Sequence, residues 1–165
     1  MKKIFGDCLQ TNPRLNREEA WPASQFPDAE YRYFRDCGCL VCALTVLLRH
    51  GGMEEAATDP WVLNQRLIAA GAFTPEADLE LEKIAGLYPL KYLGEVIYSK
   101  ENLCCAVGKG MLCLITVSGI HAEKHFTALL TPIENEALVF DPLYGIKTLS
   151  EYDRVCEIRL FRRDP

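Results

Sequence analysis

The chain has 165 residues, 49% apolar and 25% charged, with a net charge of −5. That is enough sequence to bury a core in one globular domain, and an acidic chain without a clustered basic face argues against a nucleic-acid or anionic-membrane partner. No run approaches the ~18 apolar residues of a membrane span. In the opening MKKIFGDCLQTNP, Asp7 cuts the apolar stretch before a signal-like segment develops. The expected location is therefore cytoplasmic, where thiols stay reduced, so the eight cysteines are not expected to form a disulfide framework.

Residues 1–35 read as an irregular N-terminal segment, with one short strand near its start; three prolines fall between residues 10 and 35. At Asp36 the pattern changes. Asp36 is placed to cap a helix that begins at Cys37. The run CGCLVCALTVLLRH is apolar on nearly every side, which predicts a helix buried all round, and Gly51-Gly52 stops it. A second helix opens at TDPW, with Asp59 as cap and Pro60 in the first turn, and ends at Gly71. A third is predicted over EADLELEKIAGLY, closed by Pro89. Residues 36–88 thus form a helical half.

Residues 89–165 form a mainly sheet half. LKYLGEVIY suits a strand, and SKENLCCAVGKG suits a short helix capped by Ser99. Four β-like runs follow: MLCLITVSG, HFTALLTPI, EALVFDP and CEIRLFRR. Helices first and an antiparallel sheet after predict an α+β fold, here a single domain over 1–165 with a cleft between helices and sheet.

The stretch RDCGCLVCALTVLLRHGG holds Cys37, Cys39 and Cys42 close together. Zinc prefers four ligands, commonly in C-x2-C pairs, and no second pair with matching spacing exists here. Cys39 and Cys42, like Cys113 and Cys156 in strand-like runs, read as small core residues. Cys37 differs by position. It falls in the first turn of the predicted buried helix, where free amides and the helix dipole favour a thiolate and can hold an oxyanion.

A thiol nucleophile needs a base. His50 lies at the far end of the same helix, about 20 Å away by helical rise. His121 and His125 flank HAEKH, whose spacing suits zinc on a helix but falls in a turn entering a strand. His125 opens HFTALL, where solvent exposure is the ordinary outcome. If HFTALLTPI and EALVFDP form a hairpin about ENE, residue 125 falls opposite residues 141 to 143. His125 and Asp141 then become neighbours, and a carboxylate there would fix the imidazole. Asp141-Pro142 also reads simply as a turn starter.

Together these stretches resemble the papain-like cysteine peptidases of the bacteriocin-leader-processing kind and their broader phage- and firmicute-associated relatives. The likeness lies in DCGCLVCALTVLLRHGG opening a buried helix, in HFTALL, in LVFDPLYG, and in TDPWVLNQRLIAAGAF, and spans roughly residues 36 to 153. It implies a papain-like fold, a buried central helix packed on an antiparallel sheet. Cys37 would be the nucleophile, His125 the base and Asp141 the orienting acid. Leader-processing members carry a glutamine six residues before the cysteine, where this chain has Tyr31. Gln10 in LQTNP is the first candidate for that oxyanion role, and Gln25 the other.

The expectation is a cysteine peptidase or amide hydrolase working through a thioester acyl-enzyme on a peptide or other amide substrate, with no metal or organic cofactor. Two alternatives use the same scaffold: a weak or inactive peptide-binding module, and an acyltransferase.

Overall fold

The computed structural model describes residues 5–53, 59–119, 122–132 and 136–164. His121 lies outside the described residues. The fold is α+β, and its centre is a six-stranded antiparallel sheet in the order β1-β6-β2-β3-β4-β5. The strands are β1 Leu90–Ile97, β2 Leu112–Gly119, β3 Ala122–Pro132, β4 Ala137–Asp141, β5 Gly145–Thr148 and β6 Arg154–Arg163. Among the described residues the α-helices are α1 Phe34–Cys37, α2 Cys39–His50, α3 Pro60–Ala69 and α4 Lys100–Gly108.

The near-continuous apolar run of β2 reflects a sheet covered on both faces. Leu114 faces the larger core beneath α2, with Ala128, Leu130, Phe140 and Phe161. Cys113, Ile115 and Val117 face the opposite way, packing with Leu129, Val139 and Ile158 and with Leu103 and Ala106 of α4. Helix α2 lies across β2, β3 and β4. Every residue from Val41 to Leu48 is buried, which explains its lack of a polar stripe.

The caps act as their chemistry requires. Asp59 accepts from the Val62 amide at 2.8 Å to start α3, and the Ser99 hydroxyl accepts from Asn102 at 3.0 Å to start α4. The irregular N-terminal segment is pinned by aromatic packing. Trp21 meets Phe34 and Phe73, Phe26 meets Phe73, and Asn64 of α3 donates to the Ala20 carbonyl. The short strand expected near its start is a 3-10 turn, Gly6–Cys8, and no strand occurs among its described residues.

Two helical expectations are corrected. The buried helix does not run unbroken from Cys37. Asp36 is no cap but an inner residue of α1, which ends at Cys37; Gly38 separates it from α2, which begins at Cys39. The helix expected over residues 76–88 forms only a 3-10 segment, Leu81–Gly86. Ahead of it the chain folds back on itself. Thr74 and Asp78 hydrogen-bond each other, Phe73 bridges Leu79, and Ala77 adopts a left-handed φ of 67°, which breaks a helix. β5 was not anticipated from the sequence.

Candidate active site

The site forms where the start of α2 meets the start of β3 and the end of β4. The β3–β4 hairpin pairs Ala128 with Phe140 and Leu129 with Val139, the upper end of the expected register. That register sets residue 141 diagonal to residue 125, within reach on a sheet surface. His125 Nε2 lies 2.9 Å from Asp141 Oδ1. Since a carboxylate only accepts, Nε2 carries the proton.

Asp141 is fully buried, and each oxygen is satisfied. Besides the imidazole, Oδ1 accepts from the amides of Leu143 at 2.7 Å and Tyr144 at 3.3 Å. Oδ2 accepts from the Tyr152 hydroxyl at 2.5 Å. The sequence DPLYG builds this arrangement. Aspartate hydrogen-bonds the backbone two and three residues on, and Gly145, at φ 82°, lets the chain double back into β5 opposite Asp141. Both readings of Asp141 hold: it starts a turn and it holds a histidine.

Cys39 is the cysteine that acts on the charge of this imidazole. The ring, 6% exposed, feels hydrogen-bonding and Coulombic interactions from Asp141 and from Cys39. With Nε2 engaged by Asp141, Nδ1 is the nitrogen left for the sulfur. Burial opposes a charge on the ring, but the Asp141 and Cys39 interactions outweigh it and push the His125 pKa up to about 9. Burial likewise opposes charge on Asp141, and its hydrogen bond from His125 prevails and lowers its pKa below the ordinary value. Protonated ring and ionised carboxylate therefore sustain each other at neutral pH.

Cys37 is turned elsewhere. Its sulfur points to the Tyr33 carbonyl at 3.6 Å, and burial, with Cys39 and Asp36 nearby, pushes its thiol up to about 12. The positional argument for a cysteine in the first turn of the buried helix thus selects Cys39, because that helix starts two residues later than the sequence suggests.

Gln10, 4% exposed, ties the parts together. Its backbone amide donates to Pro142, beside Asp141, and its side-chain Nε2 donates to the Arg35 carbonyl at 2.9 Å. Arg35 is the residue four before Cys39, so Gln10 occupies the carbonyl that an unbroken helix would give to the Cys39 amide. Cys39 is the first residue of α2, so its amide is one of those a helix start leaves without an intrahelical acceptor. Gln25 is exposed and bonded only locally, its amide donating to Pro22.

Two cavities flank the contact between Cys39 and His125. One, of about 390 Å3, is lined by both Cys37 and Cys39, with Trp21, Phe73, Leu79 and Phe126. The other, of about 260 Å3, is lined by His125 and Asp141 with Val117, Leu143 and Tyr152. Among the described residues no group of three His, Cys, Asp or Glu side chains converges as a metal site would require.

Sequence reasoning missed two of these residues. Tyr152 sits in EYDRV, which carries no recognisable signal, and Cys39 reads from the sequence as a small core residue. Comparison with protein-family models, with curated proteins and with solved structures returned no match.

Proposed function

We propose that this chain is a cysteine amide hydrolase of papain-like architecture, with Cys39 as nucleophile, His125 as acid and base, and Asp141 as the group that orients and charges the ring. The observation that carries this reading is the hydrogen bond of the His125 ring to the buried Asp141 carboxylate, with Cys39 at the start of α2 near enough to the same ring to favour its charge. A thiol beside a histidine that a third group orients is the general form of an activated nucleophile.

The chemistry follows from the groups. The Cys39 proton moves to Nδ1 of His125, leaving thiolate and imidazolium side by side. The thiolate attacks the carbonyl carbon, and the oxyanion that develops is held by the Cys39 amide and the carboxamide of Gln10. Imidazolium gives its proton to the leaving amine as the C–N bond breaks, which leaves a thioester on Cys39. Neutral His125 then draws a proton from water, hydroxide attacks the thioester, and the acid leaves with the thiolate restored. Tyr152 and the turn amides keep Asp141 ionised and fixed throughout. The same steps with an amine in place of water give acyl transfer.

Acyl-enzyme formation tests the proposal without knowledge of the natural substrate. The protein is exposed to p-nitrophenyl acetate and mapped by peptide mass spectrometry. The expected result is acetylation of Cys39 in the wild-type chain and in Cys37→Ser, slow loss of the label to water, and no acetyl at that site in Cys39→Ser. Preferential acetylation of Cys37 would return the nucleophile to the position read from the sequence, and no acetylation of either would leave a binding scaffold.

A further inference from the structure

We infer that Cys39 and Cys42 form a redox-active dithiol, which a peroxide joins as a disulfide and so withdraws Cys39 from catalysis; the loss of catalysis rests on the hydrolase reading above. Both cysteines lie on α2, three residues apart, Cys39 as its first residue and Cys42 one turn on. Helical rise and radius put Cα atoms at that spacing about 5 Å apart, inside the range of about 4.4–6.8 Å that a disulfide spans, and such residues share a face. Their Cβ atoms, about 5–6 Å apart in a regular helix, must close to about 4 Å. The end of α2 that carries Cys39 can supply that movement. Its cap, Gly38, makes no side-chain bond, and the first rung of the ladder runs from the Cys42 amide to the Gly38 carbonyl at 3.0 Å, leaving the Cys39 amide outside it.

The two sulfurs are placed for different tasks. Cys39 is half-buried and lines the cavity of about 390 Å3, so a small oxidant reaches it. Cys42 is fully buried, takes no part in the proposed hydrolysis, and feels the charge of Cys39. One accessible and one sheltered sulfur react in order. The Cys39 thiolate attacks the peroxide: an S–O bond forms, the O–O bond breaks, and the hydroxide released takes a proton from solvent. The Cys42 sulfur then attacks the Cys39 sulfur: the S–S bond forms, the S–O bond breaks, and the departing hydroxide takes the Cys42 proton. Two thiols are oxidised by two electrons and the peroxide is reduced to two waters. The product is neutral, which suits a position where burial resists a thiolate. Other pairings are worse placed. Cys37 is two residues from Cys39, a spacing that does not face, and its sulfur is turned to the Tyr33 carbonyl. The charge of Cys8 also reaches Cys42, but Cys8 is fully buried and its sulfur is bonded to Asp7 at 3.8 Å, away from an incoming oxidant.

The test treats the full chain with a small excess of hydrogen peroxide, caps the remaining thiols with N-ethylmaleimide in urea at mildly acid pH, and maps the peptides without reduction. The tryptic peptide from Asp36 to Arg49 is expected to lose two hydrogens while Cys37 carries the cap. Acetylation of Cys39 by p-nitrophenyl acetate is expected to be lost after peroxide and to return with dithiothreitol. In Cys42→Ala, peroxide is expected to carry Cys39 on to the sulfinic acid, after which dithiothreitol restores nothing. The wild-type measurements need no variant, so the prediction stands even if Cys42→Ala folds poorly. Wild-type Cys39 left unchanged or taken to sulfinic acid with Cys42 capped, or a disulfide from Cys39 to Cys37 or from Cys42 to Cys8, would overturn the dithiol and leave the hydrolase chemistry intact. A Cys39–Cys42 disulfide in a chain whose Cys39 is never acetylated would overturn the hydrolase reading, and with it the loss of catalysis, and leave the dithiol.

Discussion

His125 carries two opposing influences, and their balance sets the chemistry of the site. A ring so deeply buried resists charge, yet Asp141 and Cys39 hold its pKa up at about 9. In the proposed hydrolase the working state has the ring protonated, so the rate is expected to fall as pH rises through about 9 and the proton for the leaving amine is lost. Replacing Asp141 with asparagine removes the carboxylate that favours the charged ring. The expected result for Asp141→Asn is an alkaline limb moved to lower pH and a rate reduced ~10²–10⁴-fold, the usual range for a general acid–base group, read from the pH dependence of kcat/KM. The linked effect on stability has a definite sign. The raised His125 pKa contributes stability that is full below its unfolded value of about 6.5 and is lost as pH rises through about 9. The lowered Asp141 pKa contributes stability that is lost as pH falls below its ordinary range. Asp141→Asn therefore lowers stability chiefly between those two limits and flattens its pH dependence, with little difference from wild type at acid pH, where Asp141 is already protonated. An unmoved alkaline limb would show that this carboxylate does not set the charge of the ring.

At the scale of elements, the break between α1 and α2 makes the site. Gly38 sits against Phe34 so closely that an added Cβ would lie 2.6 Å from the Phe34 carbonyl oxygen and 2.8 Å from its Cα. Those are backbone atoms and cannot swing aside. Gly38→Ala is expected to destabilise the fold by ~1–3 kcal/mol, as overpacking does, lowering Tm by about 2–4 °C per kcal/mol, and to shift the Cys39 amide. A thermal melt equal to wild type would show that the helix start tolerates a side chain. This break also explains what the sequence concealed. Asp36 has the chemistry of a cap, and the choice between it and a start at Cys39 depends on the close approach of Phe34 and on Gln10 reaching Arg35 across 25 residues of chain. Those are tertiary contacts, invisible to local pattern. The third helix failed for a related reason: helical composition over residues 76–88 yields to a turn that Thr74, Asp78 and the Phe73–Leu79 bridge hold in place. By contrast, the caps at Asp59 and Ser99 and the β3–β4 hairpin are short-range features. They were legible, and with them the closeness of His125 to Asp141.

On the scale of the whole molecule, a sheet covered on both faces holds a site drawn from four distant segments. The N-terminal stretch brings Gln10, the head of α2 brings Cys39, the β3–β4 hairpin brings His125 and Asp141, and the approach to β6 brings Tyr152. The α+β order of elements was readable because hydrophobic period and turn chemistry are written locally. The convergence of Gln10 and Tyr152 was not, because nothing in LQTNP or EYDRV reports the partner it meets. The thiols give this assembly its most direct test. All eight cysteines are free; Cys104 and Cys105 are exposed on α4, whereas Cys37 and Cys39 are only half-buried neighbours of each other. Limited alkylation with iodoacetamide at about pH 6, where an ordinary thiol of pKa ~8.5 is almost wholly protonated, followed by peptide mapping, ranks them by thiolate character rather than by access. The hydrolase proposal predicts Cys39 labelled first, ahead of the more exposed Cys104 and Cys105, with Cys37 inert and the preference for Cys39 lost in His125→Ala. Labelling in order of exposure, or Cys37 ahead of Cys39, would contradict it.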